Sequence, residues 1–136
     1  MKKKINTCDA HVFVNRLEPF MCNGGTLYGR DIKYYAEPSG RARRCIDDDE
    51  VPHYPWEQVG HQYVVYSYGP HWPLFIYCHD NGRWYANEDQ NSRTTNRHRK
   101  CARPSAHTER RLPDDMITIA RDGLGAFIAA KFKRAA

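Results

Sequence analysis

The chain of 136 residues lacks several patterns that commit a sequence to one class of protein. It has no run approaching the roughly 20 apolar residues that a membrane-spanning helix needs. Its basic start, MKKKINTCDAHVFV, has no apolar segment of the kind found in signal peptides. The five cysteines are odd in number and form no C-x-x-C pair, which argues against a disulfide framework. We therefore expect a protein without membrane insertion in a reducing, cytoplasmic compartment.

Catalytic signatures are also missing. The chain has no G-x-S-x-G motif, no catalytic cysteine signature and no glycine-rich phosphate loop, because Gly24-Gly25 lies in a turn pattern. The sequence therefore predicts no catalytic residue and no cofactor, and it favours a protein that is not an enzyme. One alternative stays open: His98 could activate Cys78 or Ser92 as a nucleophile in a small hydrolase or nuclease.

The composition is that of an ordinary globular chain with an excess of positive charge. A length of 136 residues suits a single domain with one core. We divide this domain, residues 1–136, into N-terminal strands with a polar loop (1–60), a central hairpin with a basic helix (61–104) and a C-terminal helix (113–134). The net charge of +5 favours an anionic partner, although net charge informs on association rather than on the fold.

Two runs rich in β-branched and aromatic residues predict paired strands in the centre of the chain. They are YVVYSY at residues 63–68 and PLFIYCH at residues 73–79. Asn81-Gly82 predicts a two-residue type I′ turn into WYANE, with His79 opposite Trp84 as a packed pair. Alternation then divides the side chains between two faces. The expected core face carries Phe75, Tyr77, His79, Trp84 and Ala86, and the other face carries Ile76, Cys78 and Tyr85.

Helical spacing dominates the C-terminal end. Pro113-Asp114-Asp115 is typical of a helix start, and apolar residues recur at helical spacing up to Ile128. Gly123 and Gly125 predict a kink or a break in this helix. Because the sheet needs a cover, the predicted fold class is α+β: an antiparallel β-meander packed by a C-terminal helix, with a short basic helix after the hairpin.

The N-terminal part is expected to add edge strands and one polar excursion. Asn23-Gly24 between apolar triplets predicts a hairpin, and residues 11–14 alternate weakly, as in a strand. Residues 41–58 combine a basic block, an acidic block and two prolines, which predicts a solvated segment. The acidic run 47–50 could hold a divalent ion, but a solvated loop is the expectation because carboxylates of one run converge poorly.

The candidate binding site is the densest positive stretch of the chain. Between residues 93 and 111, seven Arg and Lys residues accompany a single acid, Glu109. Thr94 or Thr95 is expected to cap a short helix that stops before Pro104, and helix starts, hydroxyls and guanidinium groups are ordinary phosphate ligands. A solvated basic helix that binds nothing is the alternative. The predicted nucleic-acid or anion contacts are Arg93, Thr94, Thr95, Arg97, His98, Arg99, Lys100 and Arg103, with Tyr66 and Tyr68 to stack on unpaired bases.

A zinc site is a further alternative. His98 and Cys101, three residues apart on the basic helix, could be joined by Cys78 or His79 from the hairpin. Adjacent strand residues point to opposite faces, so only one of the latter two could join easily. The set is then one ligand short, and the sequence predicts no metal site.

A longer pattern runs through the central block: V-x-S-Y-G, a strand that starts with proline, W-Y-x-N, and S-x-T-T-x-x-H. Its positions here are Val65, Ser67, Tyr68, Gly69, Pro73, Trp84, Tyr85, Asn87, Ser92, Thr94, Thr95 and His98. The block resembles an uncharacterised family of small domains encoded by phages and plasmids, although Asn91 stands where an aromatic residue is common. The resemblance covers about a third of the chain and implies a mobile-element protein in the cytoplasm of a bacterial host. It supplies no reaction.

These observations predict a non-enzymatic binding protein that contacts nucleic acid or a nucleoprotein. Small proteins of mobile elements often act on host defence systems, so inhibition of a CRISPR or restriction complex is the role that the resemblance implies. The alternative among binding proteins is a protein–protein inhibitor that uses an aromatic surface patch and makes no nucleic-acid contact. Steep weakening of binding by salt is the mark of the first hypothesis.

Overall fold

The computed structural model describes residues 4–38, 42–45, 56–89 and 92–135 of the chain. The strands are β1 (Lys4–Ile5), β2 (Phe20–Cys22), β3 (Leu27–Ala36), β4 (Ala42–Cys45), β5 (Glu57–Ser67), β6 (Pro73–Cys78), β7 (Arg83–Asn87) and β8 (Thr108–Arg111). The helices are α1 (Ala10–Asn15), preceded by a 3-10 turn at Thr7–Asp9, then α2 (Arg93–Ala102), α3 (Pro113–Asp122) and α4 (Leu124–Ala135). The acidic run 47–50 lies outside the described residues.

The strands form one mostly antiparallel sheet. Its order is β1-β2-β3-β5-β6-β7-β8, and β4 pairs with the second half of β3. The β1–β2 and β7–β8 pairs are parallel, and the other pairs are antiparallel. The longest strands, β3 and β5, therefore lie in the middle of the sheet. The α+β class that the sequence predicts is confirmed.

Both faces of the sheet are covered, whereas the sequence predicts a single core face. Side chains of α1 and α2 pack on the face that includes Tyr63, Phe75 and Trp84. Side chains of α3 and α4 pack on the opposite face, against Ile76 and Tyr85. The C-terminal helices thus cover the face that we expected to be the outer one. The nearly unbroken burial of β5 and β6 explains the error, because such runs lack the alternation that identifies a one-sided strand.

The hairpin between β6 and β7 has a four-residue loop, not the predicted two-residue turn. A type I′ turn needs positive φ at both central residues, and within the loop 79–82 only Gly82 has it, at 70°. The Asn81 side chain instead accepts a hydrogen bond from the Arg83 backbone N–H (2.9 Å). Trp84 consequently faces Tyr77, and the predicted His79–Trp84 pair is wrong. The register differs by two residues, so the division of side chains between faces is retained.

Three polar or short segments adopt structures that the sequence did not indicate. Residues 10–15 form α1 where weak alternation suggested a strand. Part of the expected solvated excursion, residues 42–45, pairs with β3 as β4. The segment Thr108–Arg111, expected to be a polar connection, joins the sheet edge as β8. Backbone pairing stabilises these strands, and the type of side chain carries little signal for it.

The C-terminal helical region is divided at Gly123. This residue has φ +92 and ψ 156, and it ends α3 before α4 begins. At this point the backbone passes the Tyr34 ring so closely that a Cβ on Gly123 would lie 3.5 Å from it. The Tyr34 hydroxyl donates to the Ala120 carbonyl, which fixes the end of α3 to the middle of the sheet. The break predicted from the two glycines is confirmed.

Candidate functional site

Helix α2 is attached to the sheet through a polar inner face. Ser67, at the end of β5, forms a buried hydrogen bond through Oγ to His98 Nδ1 (2.8 Å) and another to Thr95 Oγ1 (3.2 Å). Ser92 caps the helix, since its Oγ accepts from the Thr95 backbone N–H (3.1 Å). The cap is therefore Ser92, not Thr94 or Thr95. Ser92 Oγ also donates to Thr95 Oγ1 (3.1 Å), so Ser67, Ser92, Thr95 and His98 form one network beneath α2.

Arg99 is a structural residue of the same inner face. Its side chain donates from Nε to the Asn87 carbonyl (2.9 Å) and from Nη2 to the Asp89 carbonyl. Its Nη1 donates to Asn96 Oδ1 (2.9 Å). The residue is only 6% exposed. These bonds satisfy one carbonyl group at the end of β7 and one just after it, so Arg99 holds the entry to α2 and is not free to meet a phosphate.

Four of the residues predicted to contact nucleic acid are buried in the structure. Thr95, His98 and Arg99 are buried on the inner face of α2. Thr95 and His98 bond to Ser67 on β5, and Arg99 bonds to the Asn87 carbonyl on β7. Tyr66 is buried on the opposite side of the sheet, where its ring stacks on Tyr28 with centroids 5.1 Å apart. Neither the ring nor the three polar side chains can reach a ligand that lies on the outer surface of α2.

Arg103 is exposed, but its guanidinium already has a carboxylate partner. Its guanidinium forms an ion pair with Glu88 (2.9 Å) and lies over the Phe75 ring, 5.4 Å from the centroid. The same contact lowers the pKa of Glu88, chiefly through the hydrogen bond from Arg103. Arg110 and Arg111 are likewise paired, with Asp89 and Glu109 at 3.4 Å. The local surplus of charge in the sequence is partly cancelled in three dimensions.

The outer face of α2 carries three cationic side chains without such partners. Arg93, Arg97 and Lys100 follow one another at intervals of four and three residues, which places them in one row along the helix. All three are exposed, and no hydrogen bond or ion pair from any described residue engages their side chains. Thr94 is exposed beside them. We call Arg93, Arg97 and Lys100 the α2 basic row.

Tyr68 adds an exposed aromatic ring next to this helix. The side chain is 48% exposed, and its ring centroid lies 5.6 Å from that of His98. Its backbone is in the left-handed region, with φ +65, and its N–H donates to the Thr26 carbonyl (2.7 Å). A non-glycine residue rarely adopts this conformation. The chain thereby leaves β5 with the tyrosine turned to solvent beside α2.

The described part of the chain shows neither an accessible nucleophile–histidine pair for a hydrolase nor a patch of exposed aromatic residues for a protein–protein inhibitor. Ser67 and His98 form a pair, but Ser67 is fully buried and His98 is 4% exposed, so no substrate reaches them in this conformation. Burial, together with nearby Arg97, lowers the pKa of His98. The exposed large apolar side chains of the described residues are scattered, with a single aromatic among them: Val12, Val59, Tyr68, Leu112 and Ile128.

The zinc set suggested by the sequence does not assemble. Cys78 packs on the α3–α4 face of the sheet, away from α2, because it alternates with the side chains that face α2. His79 lies at a different end of the sheet, where its Nε2 is 3.2 Å from Asp31 Oδ1. His98 and Cys101 therefore have neither hairpin residue as a neighbour.

Asp31, His61 and His79 form a cluster that sequence reasoning missed. His61 Nε2 lies 2.7 Å from Asp31 Oδ2, and the two imidazole rings stack with centroids 3.8 Å apart and planes 12° apart. The three side chains come from β3, β5 and the loop after β6. They are far apart in sequence and belong to no motif. The strand register brings them together. Asp31 pairs with Tyr63, and Tyr63 pairs with Tyr77. His61 and His79 lie two residues from Tyr63 and Tyr77, so they fall on the same face as Asp31.

Comparison with known proteins finds no family model, no curated protein and no solved structure that matches this chain. The similarity to phage and plasmid domains therefore stays a prediction. Within the described residues, no helix is both long enough and apolar enough to cross a membrane.

Proposed function

We propose that this chain is a non-enzymatic binding protein that contacts nucleic acid, alone or within a nucleoprotein, through the outer face of α2. The observation that carries the proposal is the α2 basic row, Arg93, Arg97 and Lys100. Several other exposed arginines lie beside carboxylates, as Arg83 does with Glu109 and Arg121 with Asp122. The α2 basic row lacks such partners among the described residues, so an external polyanion is a fitting partner.

The rigid attachment of α2 supports this proposal. The buried bonds of Ser67, His98 and Arg99 fix the helix on the sheet. A helix held in this way presents its cations without a large loss of conformational freedom on binding. Phosphate contacts from a row of this kind position a protein on the backbone and carry no sequence preference. We therefore propose binding with little sequence specificity.

Tyr68 supports single strands as the preferred form of nucleic acid. A base stacked on an exposed aromatic ring contributes about 1–3 kcal/mol, and every base offers a face for stacking. The exposed ring of Tyr68 lies beside α2, and we propose that it stacks on a base of a strand whose phosphates follow the α2 basic row. In duplex DNA the bases are stacked on each other, so this contact is lost.

Binding of fluorescein-labelled oligonucleotides tests the proposal. Replacement of all three residues of the α2 basic row by alanine lowers the net charge from +5 to +2, and we expect affinity to fall at least about 100-fold at low salt. The matched control replaces three exposed arginines that have carboxylate partners, Arg83, Arg110 and Arg121, and removes the same charge. Equal losses in both triple variants would reduce the effect to net charge and contradict a defined interface.

A role against host defence is the biological setting that we propose from the resemblance to mobile-element domains. In that setting the partner is a CRISPR or restriction complex, and the α2 basic row meets its nucleic acid. Capture of partners by the tagged protein from a bacterial host, with and without nuclease, separates the two binding hypotheses. Loss of the captured complex after nuclease supports contact through nucleic acid. A complex that survives nuclease and the triple substitution supports the protein–protein inhibitor.

A further inference from the structure

We infer that Asp31, His61 and His79 form a binding site for a divalent first-row metal ion of the zinc type. The ligand atoms of the three side chains all lie within 4.8 Å of one another. Two imidazoles and one carboxylate are a recurrent ligand set for zinc and for non-haem iron(II). This site is separate from α2 and does not rest on the proposed binding of nucleic acid.

Each histidine lies close to one oxygen of the Asp31 carboxylate. With ligand bonds of about 2.0–2.1 Å, tetrahedral geometry separates two ligand atoms by about 3.3 Å. His79 Nε2 is already 3.2 Å from Asp31 Oδ1, and His61 Nε2 is 2.7 Å from Oδ2. The rings are stacked nearly parallel, with planes 12° apart, so their Nε2 lone pairs do not converge on one point. Metal binding therefore requires one imidazole to turn by tens of degrees. His79 follows the last residue of β6, so its side chain can turn without a change in the strand pairing.

The surroundings leave the three side chains accessible to an ion from solvent. Within the described residues, Asp31 forms no ion pair with lysine or arginine, and its two oxygens are divided between the two histidines. The site is partly open, since the side chains of Asp31, His61 and His79 are 32%, 25% and 27% exposed. Three protein ligands with an open side are the arrangement of a metal that also binds water or a substrate group.

The backbone around the cluster restrains two of the ligands. The His79 N–H donates to the His61 carbonyl (2.9 Å), which places the two histidines side by side. Asp80 Oδ2 in turn accepts from the His61 N–H (3.2 Å), and the Tyr77 ring meets His79 edge-on at 5.0 Å. These contacts hold the two histidine backbones side by side before the ion arrives, and the rings turn toward the ion by side-chain rotation.

Calorimetric titration of the protein with ZnCl2, paired with Co2+ absorption spectra, tests this inference. The experiment uses a Cys8→Ser background, because Cys8 is an exposed free thiol and thiolates bind zinc on their own. We expect one equivalent of metal, a raised melting temperature with zinc, and a cobalt spectrum without thiolate charge-transfer bands. No saturable binding, or a spectrum with thiolate bands, would overturn the inference.

Variants identify the ligands. We expect His79→Ala and His61→Ala each to lower zinc affinity more than about 100-fold, while the exposed His107→Ala, which lies outside the cluster, leaves it unchanged. The zinc-dependent rise in melting temperature should disappear with the affinity. If an alanine variant does not fold, His79→Gln removes one ligand and keeps nearly the same side-chain volume. Unchanged affinity in folded His79→Ala, or an equal loss in His107→Ala, would show adventitious binding only. Oligonucleotide binding should be the same in all these variants.

Discussion

At the scale of single residues, close contacts in the middle of the sheet set the tightest limits. Gly29 on β3 lies where the Tyr63 hydroxyl and the Phe20 ring approach the backbone. A Cβ there would be 2.5 Å from Tyr63 Oη and 2.6 Å from Phe20 Cε1. Tyr63 cannot move freely, since its hydroxyl donates to the Glu18 carbonyl (2.7 Å) and burial strongly raises its pKa. The residue is glycine because a side chain has no space.

Gly29→Ala should therefore destabilise the protein by about 1–3 kcal/mol, the usual cost of an overpacked core. Gly125→Ala is the matched control: a Cβ there meets nothing within 4 Å, and the residue lies in the first turn of α4. The control should stabilise by a few tenths to about 1 kcal/mol, since alanine restricts the unfolded chain. Urea unfolding measures both. A neutral Gly29→Ala would show that the sheet relaxes easily around this position.

His98 makes stability depend on pH. Its pKa is lowered in the folded protein, chiefly by burial and then by Arg97. As the pH falls through the unfolded value of about 6.5, the unfolded chain takes up a proton before the folded chain does, so folding stability decreases. The decrease continues until the pH reaches the lowered pKa of the folded state, and each unit of lowering corresponds to about 1.4 kcal/mol.

Unfolding free energies between pH 7.5 and 5.5 test this expectation, in a window above the titration of ordinary carboxylates. His98→Gln should flatten the pH dependence, and His107→Gln, at an exposed position, should leave His98's contribution in place. The same slope in His98→Gln and in the unmodified protein would assign the pH dependence to other groups.

At the scale of elements, α2 illustrates what the sequence could and could not predict. The helix and its end before Pro104 follow from composition and from proline chemistry. Its orientation does not follow, because three of its four buried residues, Thr95, His98 and Arg99, are polar, and Ala102 alone is no apolar stripe. The inner face is recognisable only through its partners Ser67, Asn87 and Asp89 in the fold. Three of the seven α2 residues proposed as contacts consequently belong to the inner face.

Substitutions on the two faces of α2 should differ in their effect on the free energy of unfolding. Arg99→Ala removes hydrogen bonds to the carbonyls of Asn87 and Asp89, and we expect a loss of stability of about 2–3 kcal/mol. Arg97→Ala, two residues earlier on the outer face, should change stability by less than about 0.5 kcal/mol. Chemical denaturation of the two variants measures the contrast. Similar losses in both would mean that the outer face also holds the helix in place.

At the scale of the whole molecule, the fold is a sheet with helices on both faces and two separate clusters at its surface. The apolar runs of β5 and β6 predict the strands, and the pattern at residues 113–128 predicts the C-terminal helices. The cover by α1 and the parallel edge strand β8 are not predictable in this way, because they depend on pairing with distant segments. For the same reason, the Asp31–His61–His79 cluster is visible only after three strands are aligned.

The salt dependence of oligonucleotide binding tests the central claim most directly. Each phosphate that a protein cation neutralises contributes about 0.9 to the slope of log affinity against log salt on duplex DNA and about 0.7 on single strands. If the α2 basic row makes these contacts, alanine at Arg93, Arg97 and Lys100 should reduce the slope by about 2–3, and the control triple variant at Arg83, Arg110 and Arg121 should leave it nearly unchanged. A slope that the first triple variant does not alter, or that both alter equally, would contradict the proposed interface.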